Sequence, residues 1–484
     1  MKGFVKKGIL LVHPLGYEAH KASKDISRKA NIMPPLGLAS LAAYLDQQKI
    51  ENSIVDCYAH PDAARTIKDE LLRLRPAFIG LSCTTSSFLD GVRVIQKAKE
   101  VLPGIKAVVG GPHVSALKEK VLEGFPEVDF VVVGEGEATI TELILANGEG
   151  AEQIKGLVFR DRSGEVCFNG YRMQIADLDT LPFPAYEKLH GFPQVYSLPI
   201  FNYPTTPNTS CISSRGCPYA CSYCDRSVFQ KSFRFNSADY LVEHVKYLKN
   251  NFGVRHINFY DDQFTFNRQR VIDFTEKLLS ARLQVTFNCA VRANHVDEDL
   301  LVQMKAAGCW MISLGIETGD ADLLAQHRQQ VDLQMLAEKI RLMKKIGLRV
   351  KGLLMMGLPG ESEESIQKSM EYFFSLPIDD LNLSKFTPFP GTPLFENIQQ
   401  CGEFNEDWQK MDCMHFEFVP VGMNREQMER LFTEFYKRHY TQPRILFNYF
   451  TMLWRSPDSW WRFVCNLKHF IQFARSSQRI SSST

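Results

Sequence analysis

The sequence predicts an α/β protein with three parts: a doubly wound, Rossmann-like N-terminal domain, a partial (β/α)6 barrel, and a helical C-terminal tail. Three observations carry that expectation. Short apolar runs rich in β-branched residues alternate with amphipathic helical patterns in two series, about 9–147 and 209–387. A Pro-rich stretch lies between the series, and beyond about 420 the pattern turns helical, aromatic and basic. Apolar strands separated by amphipathic helices imply parallel sheets covered on both faces.

In the first series the expected strands are Ile9–His13, Ser53–Tyr58, Ala77–Cys83, Ala107–Gly111 and Phe130–Gly136. Leu38, Leu41, Ala42 and Leu45 share one face of a helix over Leu36–Gln47. Ligands of doubly wound sheets bind beyond the carboxyl ends of the strands. Those ends are small and polar here: Ser82-Cys83-Thr84-Thr85-Ser86, Gly110-Gly111-Pro112-His113 and Gly134-Glu135-Gly136-Glu137. Residues 151–208, with Pro182, Pro184, Pro193, Pro199, Pro204 and Pro207, read as an extended connector.

In the second series the strands are Thr209–Ser213, His256–Asp261, Val285–Val291, Met311–Glu317, Val350–Gly357 and Leu381–Thr387. Helices over Ala238–Asn251, Arg268–Ala281, Glu298–Ala307, Leu333–Ile346 and Glu363–Ser375 separate them. Six such units suggest a partial or full parallel barrel with its active site at the strands' carboxyl ends. The expected division is therefore 1–150, a connector 151–208, a barrel 209–420 and a helical region 421–484.

Composition narrows the function. Of 484 residues, 45% are hydrophobic and 23% charged, which excludes disordered, collagenous and coiled-coil chains. A net charge of +1 provides no overall field for nucleic acid. There is no run of eighteen apolar residues, and the N-terminal apolar run breaks at Pro14, so neither a spanning helix nor a signal peptide is expected. A cytoplasmic location follows. The tail differs from the rest: residues 421–484 hold ten Lys and Arg against four Asp and Glu, with Trp454, Trp460 and Trp461. Cations interleaved with aromatics suit an interfacial helix at the inner membrane face. Helices packed on the barrel, or a wall for an apolar substrate pocket, are the other arrangements this composition admits.

Most of the twelve cysteines stand alone in apolar runs, where a free thiol behaves as a small buried hydrophobe. Cys217, Cys221 and Cys224 do not: they form CxxxCxxC on a loop opened by Gly216. Three soft thiolates can hold three irons of a cubane cluster and leave the fourth iron open for chemistry. A zinc knuckle would want a fourth Cys or His at similar spacing, and Asp225 is a poor substitute.

With this loop directly after the first strand of the second series, residues 205–395 resemble the radical S-adenosylmethionine (SAM) superfamily. The resemblance implies that Cys217, Cys221 and Cys224 hold a [4Fe-4S] cluster whose open iron chelates SAM. Reduction of the cluster, by a donor such as flavodoxin or ferredoxin, would then cleave SAM to methionine and a 5′-deoxyadenosyl radical. It further implies that Tyr223 packs near the adenine, Asp261 and Asp262 meet the methionine ammonium, and Arg292 grips the carboxylate. Glu317, in Gly315-Ile-Glu317-Thr-Gly319, would take the ribose hydroxyls; the Gly352–Gly357 strand end and Phe386 on the sixth-strand exit complete the SAM side. Read from the residues alone, the paired acids could also cap a helix, and Arg292 could form a surface ion pair.

The N-terminal series has no GxGxxG after its first strand, so a dinucleotide site is not indicated. It resembles a cobalamin-binding domain, with Ser82-Cys83-Thr84 and Gly110-Gly111 at that family's separation and Gly37 near its first glycine. The resemblance implies cobalamin contacts at Ser82, Thr84, Thr85, Gly110, Gly111, His113, Gly134, Glu135 and Gly136. Pro34 stands where the axial His would be and Ile32 replaces the Asp, so base-off binding without a protein His is implied.

The two halves together resemble the cobalamin-dependent radical SAM group, which includes methyltransferases and anaerobic magnesium-protoporphyrin monomethyl ester cyclases. The expectation is an enzyme that methylates, or oxidatively cyclises or rearranges, a hydrophobic lipid or porphyrin-like substrate. Transfer RNA methylthiotransferases share the radical core but carry three further cluster cysteines in their N-terminal domain, where this chain has only Cys57 and Cys83. A cobalamin or redox sensor that cleaves no SAM is the non-catalytic alternative.

Overall fold

The computed structural model describes residues 6–16 and 31–480, with side chains placed for 8–16 and 31–468. Its N-terminal sheet has seven strands in the order β2-β1-β3-β4-β5-β6-β7. These are β1 Lys6–His13, β2 Glu51–Asp56, β3 Pro76–Ser82, β4 Lys106–Gly110, β5 Phe130–Val132, β6 Leu157–Arg160 and β7 Val166–Phe168. The first five are parallel, whereas β6 and β7 add antiparallel to the edge. Those two strands fall in the stretch expected to be a connector, so the sheet runs on to Phe168.

Alternation along the strands explains why both faces are covered. Ile9, Leu11, Phe78, Val108 and Val132 point to one core, with α1 (Leu36–Gln47) on that face. Leu10, Val12, Ile79, Leu81 and Val109 point to a second core, behind α2 (Ala63–Leu74) and α3 (Phe88–Val101). After β4 come α4 (Pro112–Leu117) and α5 (Glu119–Gly124), and after β5 comes α6 (Glu137–Leu145). The α1 face is continuous with the core of the second sheet, so one apolar body holds both halves.

The second sheet has six parallel strands in the order β15-β14-β13-β12-β11-β8. They are β8 Asn208–Cys211, β11 His256–Phe259, β12 Thr286–Val291, β13 Cys309–Glu317, β14 Arg349–Met356 and β15 Asp380–Lys385. Between β8 and β11 lies a small antiparallel ladder of β9 (Ser214–Arg215) and β10 (Arg234–Phe235). The strands follow chain order with β8 and β15 at the edges, so the barrel is a half-barrel that opens on one side. Its helices are α7 (Ala238–Phe252), α8 (Arg268–Ser280), α9 (Glu298–Ala306), α10 (Ala321–His327), α11 (Leu333–Lys345) and α12 (Glu363–Phe374). Side-chain caps start most of them: Ser237, Asn267, Asp297, Asp320, Asp332 and Ser362 each accept a first-turn N–H.

The tail comprises α13 (Arg425–Tyr440), α14 (Pro443–Arg455) and α15 (Pro457–Ile480). α13 starts beside the carboxyl ends of β14 and β15, where Met428 meets Gly357, and α14 with the start of α15 closes the amino-terminal end of the half-barrel. Asn448 bridges Arg349 and Asp379, at 3.1 and 2.9 Å, where β14 begins and just before β15. Tyr449 donates to Asp380 at 3.1 Å, and the Ser456 hydroxyl to the Tyr203 carbonyl at 2.6 Å. Those contacts lie opposite the strand ends that carry the cysteine loop.

Candidate active site

One cavity of about 700 Å³ opens between the carboxyl ends of the two sheets. Cys217, Cys221 and Cys224 lie on its barrel wall, and Gly110, Gly111, Gly134 and Gly136 on its N-terminal wall. Among the described residues no three His, Cys, Asp or Glu side chains converge on one ion-sized point. The three thiols line one stretch of the cavity wall, with Cys221 and Cys224 hydrogen-bonded to each other, and three soft sulfur donors suit a polynuclear cluster.

Two glycines shape these walls. Gly111 sits at φ +105°, and a Cβ there would lie 2.6 Å from the Cys83 carbonyl oxygen, so the exits of β3 and β4 pack backbone to backbone. Gly216, at φ +85°, turns the chain into the cysteine loop, where a Cβ would collide with the Ser232 carbonyl. Gly37 also faces the cavity, and nothing of the protein lies within 4 Å of where its Cβ would be. The glycine wall therefore leaves open space on the sheet side that side chains would fill.

Around the cysteine loop the polar groups are buried and paired. Arg292, 2% exposed, is no surface ion pair: its guanidinium lies 3.7 Å from the Cys221 sulfur and 3.7 Å from the centre of the Tyr219 ring. The Cys224 hydrogen bond and the Arg292 charge hold the Cys221 thiol below its ordinary value. Glu317 ends β13 in the left-handed region, φ +67°, a strained conformation of the kind that clusters at functional sites. It pairs with Arg328 Nη1 at 3.0 Å, while burial pushes its carboxyl up. Asp262 and Tyr223 also line the cavity.

Several expected residues are not on the wall. Asp261 is buried beneath the loop, accepting from the N–H groups of Ser213 and Ser214 at 2.6 and 3.0 Å, so it braces the turn before the cysteines. Gly352 makes room for Phe373 of α12, and Gly357, at φ +100°, faces Met428. Phe386 packs on Phe418 inside a satellite core. On the N-terminal side Thr84 bonds Ser87 as α3 starts, at 3.1 Å between hydroxyls. Thr85 meets His113 Nδ1 at 3.2 Å, and His113 is buried between Phe88 and Trp408. The strand exits turn these three toward the α3 face, away from the cavity. Ser82 lines it, as does Glu135, whose carboxylate is bound to Arg215 and Arg234.

Sequence reasoning missed Arg328, because it lies on no strand end: it follows α10 and folds back onto Glu317 and the Gly315 carbonyl, the latter at 2.5 Å. It also missed Tyr219, which backs Arg292 and shares its hydroxyl with His295 at 2.6 Å. Among the described residues those lining the cavity end, in chain order, at Leu353, so none of the described tail aromatics walls it.

The radical SAM superfamily model matches residues 211–373, and a B12 binding domain model matches 26–144. An uncharacterised methyltransferase of Pyrococcus horikoshii is 30% identical over 85% of this chain and 89% of its own length. The chain belongs to the radical SAM enzymes that carry a B12-binding domain. The anaerobic magnesium-protoporphyrin IX monomethyl ester cyclase of Rubrivivax gelatinosus is 27% identical over 87% of this chain and 74% of its own. The radical SAM methyltransferase TsrM of Kitasatospora setae, solved with cobalamin and a [4Fe-4S] cluster, shares the fold: TM-score 0.66 at 18% identity over 82% of this chain and 75% of that one. This radical SAM enzyme thus takes a [4Fe-4S] cluster and SAM in its half-barrel and cobalamin against its N-terminal sheet. The donor set fits: three thiols on one wall and a glycine-lined space on the other.

Proposed function

We propose that this enzyme methylates, or oxidatively cyclises, a hydrophobic small molecule in the cavity between its sheets. The observation that carries this is the shared cavity: the cysteine trio and the exits of the N-terminal sheet line the same space. Cys217, Cys221 and Cys224 hold the cluster, which supplies an electron to SAM when reduced by a flavodoxin- or ferredoxin-type donor. Arg292, placed against Cys221 and fixed by the Tyr219 ring, presents a cation to the SAM carboxylate. Asp262 faces the ammonium, and Glu317, oriented by Arg328, faces the ribose.

On the sheet side Ser82, Gly110, Gly111, Gly134 and Gly136 leave backbone open to cobalamin. Pro34 is buried at the turn into α1 and offers no nitrogen ligand. The one histidine on the cavity wall among the described residues, His244, has both ring nitrogens engaged, by Tyr186 at 3.1 Å and Cys211 at 3.4 Å. Among the described residues, then, no histidine on the cavity wall has a ring nitrogen left to offer cobalamin. The apolar wall of Leu36, Leu41, Leu178, Leu181 and Phe229 excludes water and suits an apolar substrate. Hopanoid C-2 methylase of Rhodopseudomonas palustris, 24% identical over 78% of this chain, is in keeping with that class. Anaerobic reconstitution tests the reading. It expects 5′-deoxyadenosine from SAM and base-off cobalamin absorption. Mass spectrometry should then find modified lipid or porphyrin substrates. A chain that forms the cluster but releases no deoxyadenosine is a sensor, and the proposal fails.

The enzyme also rests on the inner membrane face through its tail. Leu446, Phe447, Phe450, Leu453 and Trp454 form an exposed stripe at helical spacing on α14, and Trp461 and Val464 continue it on α15. Phe447, Trp454 and Trp461 are 68%, 69% and 71% exposed, with Arg444, Arg455 and Lys468 beside them. No described helix is long and apolar enough to cross a bilayer. Since the stripe lies at the barrel's amino-terminal end, it tethers the enzyme and leaves the cavity facing away. Flotation with anionic vesicles should carry the wild type, whereas Phe447→Ser/Trp454→Ser should stay with the soluble fraction. Equal flotation of the two would refute the tether.

A further inference from the structure

Four charged side chains meet where the two halves of the chain join. Arg215 stands on β9, two residues before Cys217. Its Nη1 donates to Glu135 Oε1 at 2.6 Å and its Nη2 to Glu137 Oε1 at 2.7 Å. Arg234, its neighbour across the β9–β10 ladder, donates to both oxygens of Glu135, at 3.0 and 2.8 Å. The same Arg234 nitrogen donates to the Ile175 carbonyl at 2.7 Å, and the Ile175 N–H returns a bond to Glu135 at 3.0 Å. The Phe229 ring lies against both guanidinium groups, 6.0 and 5.9 Å from its centre. None of the four side chains is more than 15% exposed.

Charges so deeply buried are not there for stability alone, because a well-packed apolar cluster of similar volume would serve as well. What charge-assisted hydrogen bonds add is direction: Arg215 spans Glu135 and Glu137 with two different nitrogens, and Arg234 holds Glu135 through Nη1 alone, its Nε and Nη2 buried without partners. The two glutamates flank Gly136, and Gly134 and Gly136 line the sheet side of the cavity. The arginine leads through Gly216, where a Cβ would collide with the Ser232 carbonyl, into the first cysteine. A second link runs alongside, since the Ser227 hydroxyl, just past the last cysteine, donates to the Pro112 carbonyl at 3.1 Å. Both walls of the cavity are thus referred to one neutral cluster of two cations and two anions.

We propose that Arg215, Arg234, Glu135 and Glu137 form a clamp that sets the separation between the iron–sulfur loop and the cobalamin-facing loops. They are positioning residues: they act through the Cys217 loop and the Gly134–Gly136 turn. The role rests on the reading that the cavity takes both cofactors, and it goes beyond it by naming what spaces them. Glu135, expected from sequence to touch cobalamin, has its carboxylate committed to this clamp.

The test uses the reconstituted holoenzyme with Glu137→Gln, which removes one charge at constant shape, and Arg215→Lys, which keeps the charge but loses the fork. Cob(II)alamin and the reduced cluster are both paramagnetic, so their spin–spin interaction in electron paramagnetic resonance reads their separation without any substrate. In both variants iron content should match the wild type and that interaction should change. Hydroxocobalamin affinity, by absorbance titration, should fall about tenfold or more, as when a supporting shell is removed. Wild-type interaction and affinity in both variants would overturn the clamp. So would a loss of iron in step with affinity, which would make the four charges general support for the loop. A wild type that holds its cluster but no cobalamin would instead fail the underlying two-cofactor reading, and the clamp with it.

Discussion

Replacing Cys217, Cys221 or Cys224 with alanine, one at a time, abolishes cluster assembly and reduces SAM cleavage to background. Each thiol is one of three that line the cavity wall, so no neighbour can substitute. A cubane with three protein ligands has already given up its fourth, and removing another leaves two irons exposed to solvent. Cys401→Ala and Cys413→Ala are the internal controls, because neither lines the cavity. Iron and sulfide content with the broad cluster absorption gives the first readout, and 5′-deoxyadenosine gives the second. Full cleavage in any one of the three variants would sink the assignment.

Arg328→Met should show the next largest effect, and it reads out in stability as well as in SAM binding. Arg328 is 5% exposed and pairs with Glu317 at 3.0 Å. Removing one member of a buried pair leaves the other charge uncompensated, at a cost of about 3–5 kcal/mol. The Gly315 carbonyl loses a donor at the same time. The double variant Glu317→Gln/Arg328→Met carries no orphan charge, so its denaturation midpoint should return most of the way to wild type. SAM affinity should stay low in both, since the ribose-facing acid is lost or misdirected. A single variant as stable as wild type would show that the pair is solvated and that Glu317 needs no partner.

Much of this was legible in the chain. The six strands of the half-barrel start within two residues of where the sequence places them, because amphipathic helical patterns bound each short run. The helices between them begin at Ser237, Asn267, Asp297 and Asp332, whose side chains cap them. The cysteine loop was legible for a different reason: three thiols within eight residues are a local pattern, readable without any fold.

What local pattern could not show is direction. Ser82, Thr84 and Thr85 are neighbours in sequence, but only Ser82 reaches the cavity, because β3 ends there and the chain turns into α3. Asp261 and Asp262 differ in the same way, one bracing the Ser213–Ser214 turn and one open to the cavity. The β6–β7 pair escaped notice because the strands are only four and three residues long and no helical pattern separates them.

By itself the sequence determined the two parallel strand series, their order along the chain and the iron–sulfur loop, since each rests on periodicity or on spacing within a few residues. Only the tertiary structure decided which loop residues meet. Arg328 joins Glu317 from eleven positions away, and Arg215 joins Glu135 and Glu137 from eighty and seventy-eight. It also decided that the aromatic tail closes the far end of the barrel and leaves the cavity to the sheets. The physical reason is common to all three: a pair's energy depends on distance and burial, and both are set only when separate elements pack against one another.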